Sequence, residues 1–127
     1  MNGAQAGSGS VVRGAVAGAV AAGVWAAVEP AVGRALRTSY TDVRFLGGMA
    51  GRFLPDGRAR PAAGLAWHLV NGAAFGVAFA QLGGRGAVQG FAAAQAENAL
   101  TYPMLPVVAR RHPDYRGVAW AGPEGRR

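Results

Sequence analysis

Six polar side chains that can exchange protons or form strong hydrogen bonds lie inside otherwise apolar stretches of the sequence. They are Glu29, His68, Asn71, Glu97, Asn98 and Tyr102. Carboxyl and imidazole groups in apolar surroundings are the usual parts of a proton or cation path, or of a polar substrate site. The same groups can simply join helices through hydrogen bonds, each worth about 0.6–1.7 kcal/mol. The sequence favours this second interpretation for most of the six and leaves both open for Glu97.

Other kinds of chemistry lack the residues they need. The 127-residue chain has no cysteine and only two histidines, His68 and His112. Disulfides and thiolate chemistry are therefore excluded. No spacing matches a phosphate-binding loop, a serine nucleophile elbow or a metal-binding histidine pair. We therefore expect that the protein is not an enzyme and that it binds no metal and no cofactor.

The polar residues belong to three apolar segments, at about residues 11–33, 62–82 and 86–109. Each reaches the length of roughly 20 residues that a membrane-spanning helix needs. A soluble surface helix carries a charged face, which the first two segments lack, and a chain this small cannot bury a helix on all sides. The sequence predicts an all-α integral membrane bundle with three transmembrane helices, a multi-pass protein of the cell membrane whose partner is the lipid bilayer. A soluble alanine-rich bundle is the alternative.

The basic residues are divided unequally between the ends of these segments. All 13 are arginine, and the formal net charge is +7. Only Arg13 and Arg85 would lie on one side of the membrane, while the other eleven fall in residues 34–60 and 110–127. The positive-inside rule then places the N-terminus outside and the C-terminus in the cytoplasm. Because the arginines flank apolar segments and do not form one basic face, no nucleic-acid partner is expected.

The connection between the first two segments carries a fourth helical pattern, at about residues 42–54. Ser39-x-x-Asp42 resembles a capping box, and apolar residues follow at helical spacing: Phe45, Leu46, Met49, Phe53 and Leu54. This pattern predicts a short amphipathic helix, either at the inner membrane interface or packed on the ends of the bundle. Residues 1–10 and 116–127 are glycine-rich or polar and are predicted to be disordered. Residues 11–115 then form a single transmembrane domain.

Small residues about one turn apart mark where helices can approach closely. One such set lies on each segment: Gly14, Gly18 and Ala22 on the first, Gly64, Gly72 and Gly76 on the second, and Gly86 and Gly90 on the third. At about 1.5 Å per residue, Glu29, His68 and Tyr102 would lie roughly 6–11 Å from the inner ends, with Asn71, Glu97 and Asn98 near the midplane. The sequence therefore predicts an intramembrane polar cluster in two layers.

Several short motifs carry a resemblance. Glu29-Pro30, Tyr40-Thr41-Asp42-Val43 and the run from His68 to Gly76 resemble those of uncharacterised small bacterial membrane proteins of actinobacterial type. The resemblance covers about residues 11–115 and implies a polytopic helical architecture without an established activity. Those proteins commonly have a fourth apolar span, whereas residues 117–127 here are too short and too polar to cross. We therefore expect three spans.

Two functions fit these features. The first is a structural or accessory membrane protein that acts through close helix–helix packing, with a second copy or another membrane protein as its partner. The alternative is a small transporter or channel-like protein that uses the intramembrane groups Glu97, His68 and Glu29.

Overall fold

Most of the part of the chain that the structure describes is helical. The computed structural model describes residues 3–37, 40–54, 57–104, 107, 108, 110 and 112, with side chains from residue 9 onward except that of Tyr102. Its elements are α1 (Gly3–Leu36), α2 (Asp42–Ala50), α3 (Arg60–Gln81) and α4 (Gly86–Thr101), with short 3₁₀ helices at Gly57–Ala59 and Tyr102–Met104. Over these residues there is no strand. The prediction of an all-α fold is confirmed.

Helix α1 is longer than the sequence indicated. It has 34 residues and begins at Gly3, so it includes most of the region 1–10 that was predicted to be disordered. A helix already formed in the apolar segment extends without a new nucleation cost. At the other end Arg37 has a left-handed φ of 56°, and its N–H bonds the carbonyl oxygen of Arg34. This conformation ends α1.

Helices α1 and α3 form an antiparallel hairpin built on glycine contacts. A Cβ atom added to Gly14 would lie 2.5 Å from the carbonyl oxygen of Gly76, and one added to Gly72 would lie 2.6 Å from that of Gly18. Both distances are well inside van der Waals contact, so the two backbones touch where neither residue has a side chain. Such contact is how helices associate closely when no hydrophobic effect drives them together.

Helix α2 packs antiparallel on the first half of α3. A Cβ on Gly47 would lie 2.5 Å from the carbonyl oxygen of Arg60, and Gly64 faces the backbone of Val43 and Gly47 equally closely. The ring of Phe45 is buried on the other side of α2, among Tyr40, Leu46, Met49 and Val108. The helix is shorter than the predicted 42–54. Its apolar side contacts protein, as in the second of the two arrangements that the pattern allowed.

Helix α4 stands apart from the hairpin. It has 16 residues and ends at Thr101, where the hydroxyl donates to the carbonyl oxygen of Glu97, and Pro103 follows within the next 3₁₀ turn. The apolar segment 86–109 is therefore interrupted at Pro103, because proline cannot continue the hydrogen-bond ladder. Beyond a contact of its first turns with Phe79, α4 packs along neither α1 nor α3.

Among the described residues, two helical stretches are long and apolar enough to cross a membrane. They are Gly9–Leu36 and Gly57–Gln81, which correspond to the first two predicted spans. The third predicted span, which begins with α4, is not among them. The chain is thus a helical bundle with two candidate membrane-spanning helices.

Candidate functional site

The polar residues meet where α1, α2 and α3 come together. Glu29, on the last third of α1, is only 6% exposed. Its Oε2 atom accepts a hydrogen bond of 2.8 Å from the backbone N–H of Asp42, the first residue of α2. The first N–H groups of a helix have no partner within the helix. Glu29 therefore satisfies one of these groups from 13 residues away in the sequence and ties α2 to α1.

The side chain of Asp42 extends this site towards α3. Its Oδ1 atom accepts a 2.8 Å hydrogen bond from the hydroxyl of Tyr40, and its Oδ2 atom lies 3.9 Å from Nδ1 of His68. Thr41 is the N-cap residue of α2, with its hydroxyl accepting from the N–H of Arg44 at 3.2 Å. We call Glu29, Tyr40, Asp42 and His68 the junction cluster.

His68 occupies a particular place on α3. It lies between Gly64, which contacts α2, and Gly72, which contacts α1, each one helical turn away. Its side chain is 13% exposed, and Nε2 is buried without a hydrogen-bond partner in the part of the chain that the structure describes. The imidazole therefore lies on α3 between its contact with α2 and its contact with α1.

The junction cluster combines two carboxyl groups, an imidazole and a phenol. Acidic groups near a helix N-terminus are stabilised by the helix dipole and by the free N–H groups. Carboxyl and imidazole groups can also take up and release protons. Within the described ranges, no three His, Cys, Asp or Glu residues are arranged so that they could hold a metal ion. The cluster joins the N-terminus of α2 to α1 through Glu29 and brings the Asp42 carboxyl group close to His68 of α3.

Two of the six polar residues predicted from the sequence meet in this cluster, Glu29 and His68. Asn71 lies exposed on α3, and Glu97 and Asn98 lie exposed on α4. The predicted midplane contact between Asn71 and the other two is therefore absent within the chain, because α4 does not pack along α3. The backbone of Tyr102 lies in the 3₁₀ turn after α4, and its side chain is outside what the structure describes.

The predicted packing glycines of α1 and α3 contact another helix closely, whereas those of α4 do not. Gly14, Gly18, Gly72 and Gly76 form the α1–α3 contact together with Ala22, whose Cβ faces Gly72, and Gly64 contacts α2. Gly86 faces open space, and a Cβ on Gly90 would meet only the edge of Phe79, at 3.9 Å. These last two are not packing positions within this chain. The physical reason is again the separation of α4 from the hairpin.

Three contributors were not identified as site residues from the sequence: Tyr40, Asp42 and His112. Asp42 was the last residue of the Ser39-x-x-Asp42 pattern, which predicted Ser39 as the N-cap residue of the helix. Ser39 lies outside the described residues. The structure assigns the cap to Thr41. His112 is fully buried, with its ring stacked on that of Phe45 at 4.5 Å and its Nε2 2.7 Å from the carbonyl oxygen of Phe45. No local signal distinguished the roles of Asp42 and His112, because both depend on contacts with residues that are distant in the sequence.

No family model, curated protein sequence or solved structure matches this chain. The resemblance to small bacterial membrane proteins stays a prediction. Function is therefore inferred from the geometry, exposure and charge of the residues themselves.

Proposed function

We propose that this protein is an integral membrane protein with a structural or accessory role, acting through close helix–helix packing. The observation that supports this most directly is the glycine contact between α1 and α3, the two helices that are long and apolar enough to cross a membrane. Backbone contact of this kind is typical of helices that associate within lipid. It buries little apolar surface, so it would contribute little to a fold in water.

The outer side of α1 supports a lipid environment. Val12, Val16, Val20 and Val24 follow one another at intervals of one turn, and each is between 59% and 61% exposed. A continuous apolar stripe along a helix is unusual on a soluble monomer, which rarely exposes large apolar patches. In a bilayer the same stripe would simply face lipid tails.

A third crossing of the membrane is part of the proposal. The start of α4 is held near the end of α3 by Phe79, and beyond α4 the chain returns to α2, where His112 stacks on Phe45. The 16 residues of α4 rise about 24 Å and the 3₁₀ turn about 6 Å, compared with about 33 Å for the 22 residues of α3. The summed length of α4 and the 3₁₀ turn, about 30 Å, is close to the thickness of the hydrocarbon core of a bilayer, which supports a third crossing.

The proposed orientation places the N-terminus outside and the C-terminus in the cytoplasm. Arg34, Arg37, Arg44, Arg52 and Arg58 are all exposed around the end of the hairpin that carries α2. The opposite end has Arg13 and Arg85. This asymmetry supports the cytoplasmic placement of α2. At that position α2 would lie at the inner membrane interface while packing its apolar side on protein.

Membrane residence is tested by fractionation. The full chain, expressed with a small tag, should sediment with membranes and resist extraction by alkaline carbonate, which removes peripheral proteins. A matched variant with Val16, Val20 and Val24 all replaced by Asn should lose this resistance, because its lipid-facing stripe becomes polar. Full recovery of the wild-type chain in the soluble fraction would contradict the proposal.

A small transporter is the second candidate, and the junction cluster is the observation that favours it. Glu29, Asp42 and His68 bring proton-exchanging groups together near the end of two apolar helices. Proton or cation flux into vesicles containing the purified protein would support this function, particularly if Glu29→Gln abolished it without affecting insertion. Absence of flux under proton, sodium and potassium gradients would contradict the transport function.

A further inference from the structure

Three polar side chains are exposed at positions that would lie at membrane depth. Asn71 is exposed on α3, and Glu97 and Asn98 are exposed on α4. Beside Asn71 the surface of α3 is apolar and also open, with Trp67 41% and Val70 65% exposed. Polar groups inside a membrane are costly and normally face another protein segment or water. Within the residues that the structure describes, α4 does not pack along α3, so these three side chains do not meet across the gap between the two helices.

The three side chains lie at the same depth. Helix α3 ends at Gln81 on the side of the bundle where α4 begins at Gly86. Counting from that side at about 1.5 Å per residue, Asn71 lies about 15 Å deep, Glu97 about 16 Å and Asn98 about 18 Å. Their chemistry is also complementary, because the Asn71 amide can donate to the Glu97 carboxyl and exchange hydrogen bonds with the Asn98 amide.

We propose that α4 of one copy packs against α3 of a second copy, with Asn71 opposite Glu97 and Asn98. This inference rests on the proposed membrane placement and names a second copy as the partner. Each copy carries both Asn71 on α3 and the pair Glu97 and Asn98 on α4, at equal depth. A two-fold axis along the membrane normal therefore forms the same contact twice, once from each copy. Each copy then supplies one α3 and one α4 to a closed, isologous dimer.

The experiment uses the absence of natural cysteines. Ala74, one turn after Asn71, and Ala94, one turn before Asn98, lie at matching depths and leave the three polar side chains intact. Ala74→Cys is placed on a long-tagged copy and Ala94→Cys on a short-tagged copy, and both are co-expressed and oxidised in native membranes. We expect a crosslinked species with the summed mass of both copies.

A matched control replaces Ala74→Cys with Val16→Cys. Val16 is exposed on α1 at a depth near that of Ala74, since Gly14 faces Gly76 and Gly18 faces Gly72. This pair should not crosslink. Crosslinking that occurs only when both cysteines are on one chain would overturn the dimer, because α4 would then fold on its own α3. Equal crosslinking of the control pair would also overturn it.

A second measurement tests whether the polar side chains stabilise the dimer or only lie near each other in it. Asn71→Leu should weaken dimerisation in detergent by about 3- to 20-fold, the range that corresponds to one interhelical hydrogen bond. Gln89→Leu, on the first turn of α4, should leave it unchanged, because that side chain already accepts from the N–H of Arg85 within its own chain. Wild-type monomers in carbonate-resistant membranes would overturn the dimer alone. A wild-type chain found in the soluble fraction would overturn the membrane placement and the dimer together.

Discussion

The carbonyl oxygen of Gly72 occupies the space that a side chain on Gly18 would need. Even a methyl group there must push α1 and α3 apart. Gly18→Ala should therefore lower the free energy of unfolding by about 1–3 kcal/mol, the usual cost of overpacking. The measurement is the midpoint of thermal or denaturant unfolding in detergent, followed by circular dichroism.

Gly23→Ala is the matched control for that substitution. It lies on the same helix, but the nearest atom to its added Cβ would be Cδ2 of Leu69, at an ordinary 3.5 Å. Alanine also favours the helix by about 1 kcal/mol over glycine. The control should be neutral or stabilising, and equal losses for both variants would show that the glycine contact does not hold the hairpin.

The attachment of α2 to α3 depends on Gly64 in a similar way. Its position faces the carbonyl oxygen of Val43 and the backbone of Gly47, neither of which can rotate away. Gly64→Ala should release α2 and increase proteolysis in the connection before α3, while α1 and α3 remain associated. Gly57→Ala meets nothing within 4 Å and serves as the control. Protection of the connection in Gly64→Ala would contradict the assignment.

Glu29 should matter more for stability than Glu97 does, although both are acidic residues of apolar helices. Glu29→Leu leaves the N–H of Asp42 without its acceptor, and an unsatisfied buried group costs about 1–3 kcal/mol. Glu97 is exposed and bonds no other helix in the described chain, so Glu97→Leu should leave the unfolding of a monomeric sample nearly unchanged. Comparison of the two variants at low protein concentration in detergent tests this. The reverse order of stabilities would contradict the junction cluster.

Topology is testable with reporter fusions. A reporter at Gly83, between α3 and α4, should be active only if its enzyme works outside the cytoplasm, while a fusion after Arg110 should be active only with a cytoplasmic enzyme. The control adds four arginines beside Arg85, which should weaken or invert the preference. A cytoplasmic signal at Gly83 from the unaltered chain would contradict the orientation.

The sequence was sufficient to predict the helices and the glycine positions of the hairpin. Continuous apolar stretches identified α1 and α3, and small residues at four-residue spacing identified Gly14, Gly18, Gly72 and Gly76. It could not predict which glycines would meet, because pairing depends on how two helices are aligned across a connection of more than 20 residues. Gly86 and Gly90 have the same spacing, yet a Cβ on Gly86 would meet nothing and one on Gly90 would meet only the edge of the Phe79 ring.

The candidate site was predicted in part. Depth along each helix correctly grouped Glu29 with His68, and it gave Asn71 and Glu97 a common level. Depth fixes neither the rotation of a helix about its axis nor the packing of α4, so it could not show that Asn71 and Glu97 are both exposed and lie on helices that do not pack together. The role of Asp42 was hidden because its partner, Glu29, belongs to another helix. Only the folded chain brings the N-terminus of α2 to that carboxyl group.

The hairpin also has a consequence for how the protein is made. Gly18 and Gly72 are separated by more than 50 residues, so α1 leaves the ribosome well before the surface it will contact exists. Residues 14–28 of α1 carry no charge, so in the proposed membrane placement α1 would insert before α3 is made, as the first stage of membrane protein folding requires. Helix α2 emerges next but must wait for α3, the helix on which it packs. Helix α3 in turn finds the glycine surface of α1 already formed, so the hairpin can close as soon as α3 is made, and α2 can then pack on it.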